Sequence, residues 1–110
     1  MPNTFINRNK DVTNSQDVIY NNTSGGTAIV LTLRVTNVNG GSADQVTVEI
    51  TDSLDAKIAH IAYEMDVPSD TSVELAGVSK IVLESGDKLK ITGTQASGYL
   101  EAFASILEIT

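Results

Sequence analysis

The chain has no cysteine and no tryptophan, two prolines, and two Phe and three Tyr among 110 residues. Without cysteine there is no disulfide staple, no thiolate metal site and no cysteine nucleophile. Without tryptophan the usual platform for stacking a sugar is missing. Lys and Arg number 7 against 14 Asp and Glu, for a formal net charge of −7. The only local concentrations of basic charge are Arg8/Lys10 and Lys88/Lys90, which argues against binding a nucleic-acid backbone. The longest apolar run, Ala28 to Leu31, falls far short of the roughly 20 residues that span a bilayer as a helix. The start, MPNTFINRNKD, has no apolar h-region, so synthesis in the cytoplasm as a soluble protein is expected.

Catalytic signatures are equally sparse. His60 is the single histidine, and with no second histidine and no cysteine it reads as a surface or interface residue, not as a zinc ligand or general base. Asp52, Asp55, Asp66, Asp70, Glu84 and Asp87 stand at strand ends and turns. Nothing marks a cleft in which two of them would converge on a glycoside. No D-x-[DN]-x-[DN]-G calcium loop, G-x-S-x-G elbow or phosphate loop occurs. The N-x-[ST] triplets at Asn21 and Asn22 fall in an Asn-rich loop and read as chance matches. The expectation is no enzyme, no metal and no cofactor.

What the chain does have is alternation. In Thr27 to Asp52, Ile29, Leu31, Leu33 and Val35 share one face of a first run, and Val46, Val48 and Ile50 share one face of a second. A period of two turns these inward and Thr32, Arg34, Thr36, Thr47, Glu49 and Thr51 outward. The two runs read as an antiparallel pair at the centre of the fold. Their eight-residue linker is long for a tight hairpin, so a crossing between sheets stays open.

Around this pair, Met1 to Asp11 is polar and reads as an arm carrying Phe5 and Ile6, and Val12 to Tyr20 as an edge strand. Ala56 to Val67 fits helical and strand spacing about equally; the pattern running unbroken into Pro68 favours strand. Ser72 to Ala76 is a short strand ended by Gly77. Lys80 to Glu84 and Lys88 to Gly93 read as a hairpin about Ser85-Gly86-Asp87, and Thr94 to Gly98 as a small-residue loop. Tyr99 to Ile109 closes the chain as a strand apolar on both faces. With 41% hydrophobic residues, this predicts one all-β domain. It is a single β-sandwich of about eight short antiparallel strands, jelly-roll-like or Ig-like, over 12–110, preceded by an arm, 1–11.

Val30, Ile58 and Val82, with one face of the last strand, are apolar on sides that read outward. Several such residues on one side of a small sandwich mark a covered surface. The cover is either the chain's own arm or, the favoured reading, a homo-oligomer, most naturally a small ring. The partner-contact residues expected are Phe5, Ile6, Arg8, Val30, Arg34 and Ile58.

The stretches FINRNKD (Phe5 to Asp11), TAIVLTLRVTN, DVPSDTSVEL (Asp66 to Leu75), IVLESGDKLKITG and LEAFASILEI together resemble the small all-β virion proteins of tailed bacteriophages. The resemblance covers nearly the whole chain as a rhythm of strands and turns. It implies a non-enzymatic virion structural protein, made in the host cytoplasm: a capsid decoration (cement) protein, or a neck or tail component. It also implies a homotrimer that contacts the major capsid protein or neck and tail proteins, with no nucleic acid and no membrane. The alternative is a tail-borne carbohydrate- or receptor-binding β-sandwich module, which would need an exposed aromatic platform.

Overall fold

Alternating apolar residues throughout the chain yield strands and, among the described residues, no helix. The computed structural model describes residues 3–76, 80–95 and 98–110. The strands are β1 (Asn3–Val12), β2 (Asp17–Asn21), β3 (Thr27–Asn37), β4 (Asp44–Thr51), β5 (Lys57–Val67), β6 (Ser72–Glu74), β7 (Ile81–Leu83), β8 (Lys88–Thr92) and β9 (Leu100–Ile109). One sheet runs β1-β9-β3-β6, with β7 pairing β3 further along; the other runs β2-β8-β4-β5. We call them the first and second sheet. Only β4 and β5 are consecutive in sequence and also neighbours in a ladder. Nearly every other connection crosses from one sheet to the other, which is the jelly-roll form of the β-sandwich. The expected strand break at Gly77 and the middle of the Thr94–Gly98 loop lie outside the described residues.

β3 and β4 therefore cross between sheets and are not hairpin partners. The same holds for β7 and β8. Leu83, Leu89 and Ile91 do face one interior, as their pattern predicts, but across the sandwich and not along a ladder.

The alternation in β3 changes phase halfway. Val30 lies opposite Ile106 of β9 and Thr32 opposite the next residue, Ser105, which leaves Leu31 as a β-bulge. Before the bulge Ala28 and Val30 point inward; after it Leu33, Val35 and Asn37 do. Val30, expected outward as a partner contact, is fully buried, and Ile29 takes the outer position instead. The extra residue swaps the two faces. Lys80 Nζ donates to the carbonyl of Leu31 at 3.1 Å, satisfying backbone that the ladder leaves out.

β5 is a strand, as its continuing pattern predicts, and it is the most irregular one. Its 11 residues run beside 8 in β4, and the ladder shifts register at three places. Glu64 takes a positive φ of 48° at one of them, with its amide held by Thr47 Oγ1 at 3.0 Å. The shifts bring His60 and Tyr63 onto one side, with ring centroids 4.9 Å apart, where simple alternation separates them.

The residues expected as an arm form the regular strand β1, paired with β9 from Asn3↔Ile109 to Val12↔Leu100 without a register shift. The expected Val12 to Tyr20 strand is in fact the end of β1, a turn and β2. β1 reads as polar because an edge strand is wet on both sides: only Val12 is buried, and Ile6 and Lys10 are half-buried.

Buried polar groups hold the loops. Asn22, before β3, donates its amide to the carbonyls of Gly26, Leu83 and Glu84, each at 3.0 Å. Asn37, at the end of β3, donates to Ser42 O and Val67 O, both at 2.9 Å. Gly26 is required by close approach, since a Cβ there would sit 2.2 Å from the carbonyl oxygen of Ile109. Asp44 Oδ1 receives the amides of Gln45 (2.7 Å) and Thr94 (3.0 Å) as well as the Thr94 hydroxyl.

Tyr20 of the second sheet donates its hydroxyl to Glu108 of the first at 2.5 Å. Burial, then the hydrogen bond and charge of Glu108, push the phenol above its ordinary range. A raised native pKa stabilises the fold fully below the unfolded phenol's pKa, near 10, and that stabilisation drains away as pH rises above it. Tyr20→Phe is expected to cost about 1–2 kcal/mol at neutral pH. It should also flatten the fall of the urea midpoint above about pH 10; an unchanged alkaline slope would contradict this assignment.

Candidate interaction surfaces

Register and parity place an apolar row on the solvent side of the first sheet. Phe5 lies opposite Leu107, Leu107 opposite Ile29, and Ile29 opposite Val82. The row crosses all four adjacent strands. Phe5 is 73% and Val82 57% exposed, and Leu107 and Ile29 are half-buried. Further along, Asn9, Phe103, Arg34 and Glu74 form a second row, with Phe103 at 42% exposure. Its neighbours line a depression of about 270 Å³ between Asn9, Lys10, Asp11, Thr36, Glu101, Ala102 and Phe103, which is at the small end for ligand pockets.

The solvent side of the second sheet is charged instead. Val18, Lys90, Glu49 and His60 lie in register across it. Glu49 accepts from Gln16 at 2.5 Å, and its carboxylate is 3.5 Å from His60 Nε2. Asp55, in the turn before β5, receives Lys88 at 2.8 Å and Lys90 at 2.7 Å. Those two ammonium groups, Lys88 first, lower its pKa to about 2. The pairs neutralise one another, so this face offers partly matched charge and not a free cationic patch. Apolar exposure here lies mostly on the β5 side, at Leu54, Ile58 and Tyr63, with Val18 exposed at the β2 edge.

Of the expected contact residues, the structure joins Phe5, Ile6 and Arg8 on β1. Ile6 packs partly against the core. Arg34 shares Phe5's outer face, two rows further along, past Asn7, Ser105 and Thr32. Ile58 is exposed, but on the other sheet. Val30 has no surface to offer. Ile29 was hidden from sequence reasoning by the bulge, which no glycine or proline announces; Leu54 and Tyr63 stand out only once their exposure is known. Among the described residues no three His, Cys, Asp or Glu side chains converge on a metal position. Asp44 Oδ2 is the one buried side-chain oxygen there without a hydrogen-bond partner.

No protein-family model matches the chain, and no curated protein matches it. Solved structures do share its fold. A structure described as the acidic stable capsid of Helicobacter pylori bacteriophage KHP30 aligns with a TM-score of 0.57 and 11% identity over 96% of this chain and 85% of that one. A Bacillus endospore appendage, described as forming a family of disulfide-linked pili, aligns at 0.56 and 14% identity over 96% and 85%. A pentameric capsid protein from metagenomic phage sequences aligns at 0.51 and 18% over 91% of this chain and 58% of that one.

Proposed function

We propose that this protein is a non-enzymatic structural subunit of a tailed-phage virion, a capsid decoration protein before a neck or tail component. The observation that carries the reading is the apolar row Phe5–Leu107–Ile29–Val82. It lies on an outer sheet face where a lone sandwich would be expected to show polar residues. The fold shared with capsid and pilus proteins supports it. Shell proteins act by burying area at subunit junctions, and a flat sheet face with an apolar row is suited to that. In this reading the protein is a homo-oligomer, a trimer by preference, whose first-sheet face meets the major capsid protein.

The test is the native mass combined with binding to purified phage particles. The double variant Phe5→Ser/Val82→Ser should keep the wild-type unfolding midpoint closely, since both residues are exposed. Particle binding should weaken by more than about tenfold, as burying such side chains is worth roughly 1.5–3 kcal/mol each. A wild-type protein that is monomeric and binds no particle overturns the proposal.

A further inference from the structure

The sandwich has four sheet edges, and among the described residues three are blunted. β6 and β7 are three residues long each. β2 has five residues and a register shift after Val18. β5 is long but shifts register three times. Short strands and bulges are two of the devices that stop an edge from recruiting another strand, charged side chains being another. β1 is neither short nor bulged: its ladder is regular over ten residues, with no proline and no glycine. It turns a row of unpaired backbone groups outward, and Arg8 caps one carbonyl locally, that of Asn7, at 2.9 Å. Lys10, the other basic residue, leans toward Asp17 of β2 at 3.9 Å.

We infer that the free edge of β1 pairs antiparallel with β1 of a second copy of this chain, about a two-fold axis at Asn7. The inference rests on the assembly role proposed above and names a contact that role would use. An axis perpendicular to the sheet needs residues of equal parity opposite each other, so only alternate registers are open. Centred on Asn7, the pairs are Asn3 with Asp11, Thr4 with Lys10, Phe5 with Asn9, and Ile6 with Arg8 of the second copy. No like charges stand directly opposite, the two Arg8 side chains being diagonal neighbours on one face. The stem of Arg8 lies along Ile6, and Asn7 faces its own copy. Centring on Arg8 sets two guanidinium groups face to face, and centring on Asn9 sets Arg8 against Lys10, both costly across a ladder. Centring on Ile6 shortens the overlap. The Asn7 register is the longest one free of charge conflict. It also extends the outer face, because Phe5 then continues through Asn9 of the second copy to that copy's Phe103. A two-fold contact joins copies in pairs, so if the protein forms rings it links one ring to the next.

The chain's lack of cysteine makes the test clean. In this register the two copies of residue 7 stand about 4.5–5.5 Å apart at Cα, within the roughly 4.4–6.8 Å that a disulfide spans. The two copies of residue 9 are displaced by four positions, about 14 Å, beyond its reach. Both positions are exposed. Under mild oxidation Asn7→Cys should give a covalent dimer on non-reducing gels at least about tenfold more than Asn9→Cys, with circular dichroism confirming that both variants fold. Equal cross-linking, or none, overturns the pairing. If Asn7→Cys stays uncrosslinked while the native mass exceeds one chain, the pairing falls and the assembly role stands. A monomer that also binds no particle removes both.

Discussion

Asn22→Ala is expected to lower stability by roughly 3–5 kcal/mol, read as a fall in urea midpoint at unchanged slope. Asn22 is fully buried, and its amide nitrogen is shared by three backbone carbonyls from two separate chain segments, Gly26 and Leu83–Glu84. Its oxygen accepts the Ser24 hydroxyl at 2.7 Å and the Ser24 amide at 3.2 Å. Alanine removes donor and acceptor together. The carbonyls left behind cannot all reach water, and each orphan costs about 1–3 kcal/mol. Against a typical total of about 5–15 kcal/mol, that is a large share. Asn22→Asp should be at least as damaging, because it sets an acceptor against three acceptors. A variant that loses less than about 1 kcal/mol would show that the loop is held by something else.

Leu33→Ala should cost about 3–4 kcal/mol, and Leu31→Ala about 1 kcal/mol or less. Perfect alternation would place the two leucines on one face and make them equivalent. The bulge separates them: Leu33 is completely buried and Leu31 only partly so. Truncating Leu33, which sits in the core opposite Ala104 of β9, opens a cavity that close-packed surroundings fill only in part. Equal losses at the two positions, measured by the same denaturation, would refute the phase change in β3.

The two leucines also mark what was legible in the sequence. Strand content, a single sandwich and the inward face of β4 all follow from period-two patterning, and Val46, Val48 and Ile50 are buried as it predicts. β9, by contrast, reads as apolar on both faces, and only the face of Leu100, Ala102, Ala104 and Ile106 is buried. Pairing was less legible. A jelly roll's consecutive strands mostly sit in opposite sheets, so an inward face looks the same whether its partner is beside it or across the core. β1 was obscured by its wetness, since an edge strand exposed on both sides lacks the apolar alternation that identifies strands. The bulges were hidden because each is set by pairing with another strand and not by a turn residue in its own segment. The surface reading inherited both errors. Phe5, Arg8, Arg34 and Ile58 are exposed where outward residues were expected, while Val30 traded places with Ile29.

The position of β9 bears on how the protein is made. In the first sheet it lies between β1 and β3, yet it follows the other eight strands in chain order. Until it emerges, β1 has no ladder partner among the described residues, and the long inner strand β3 lacks its longest neighbour. A growing chain thus holds β1 without its ladder partner until all the strands between them have been made. Closing the sheet then joins residues as far apart as Asn3 and Ile109, the non-local ordering that makes β topologies slow to fold. Closure of the first sheet therefore waits until β9 has emerged, and nascent chains crowded on one message are exposed to strand exchange during that interval.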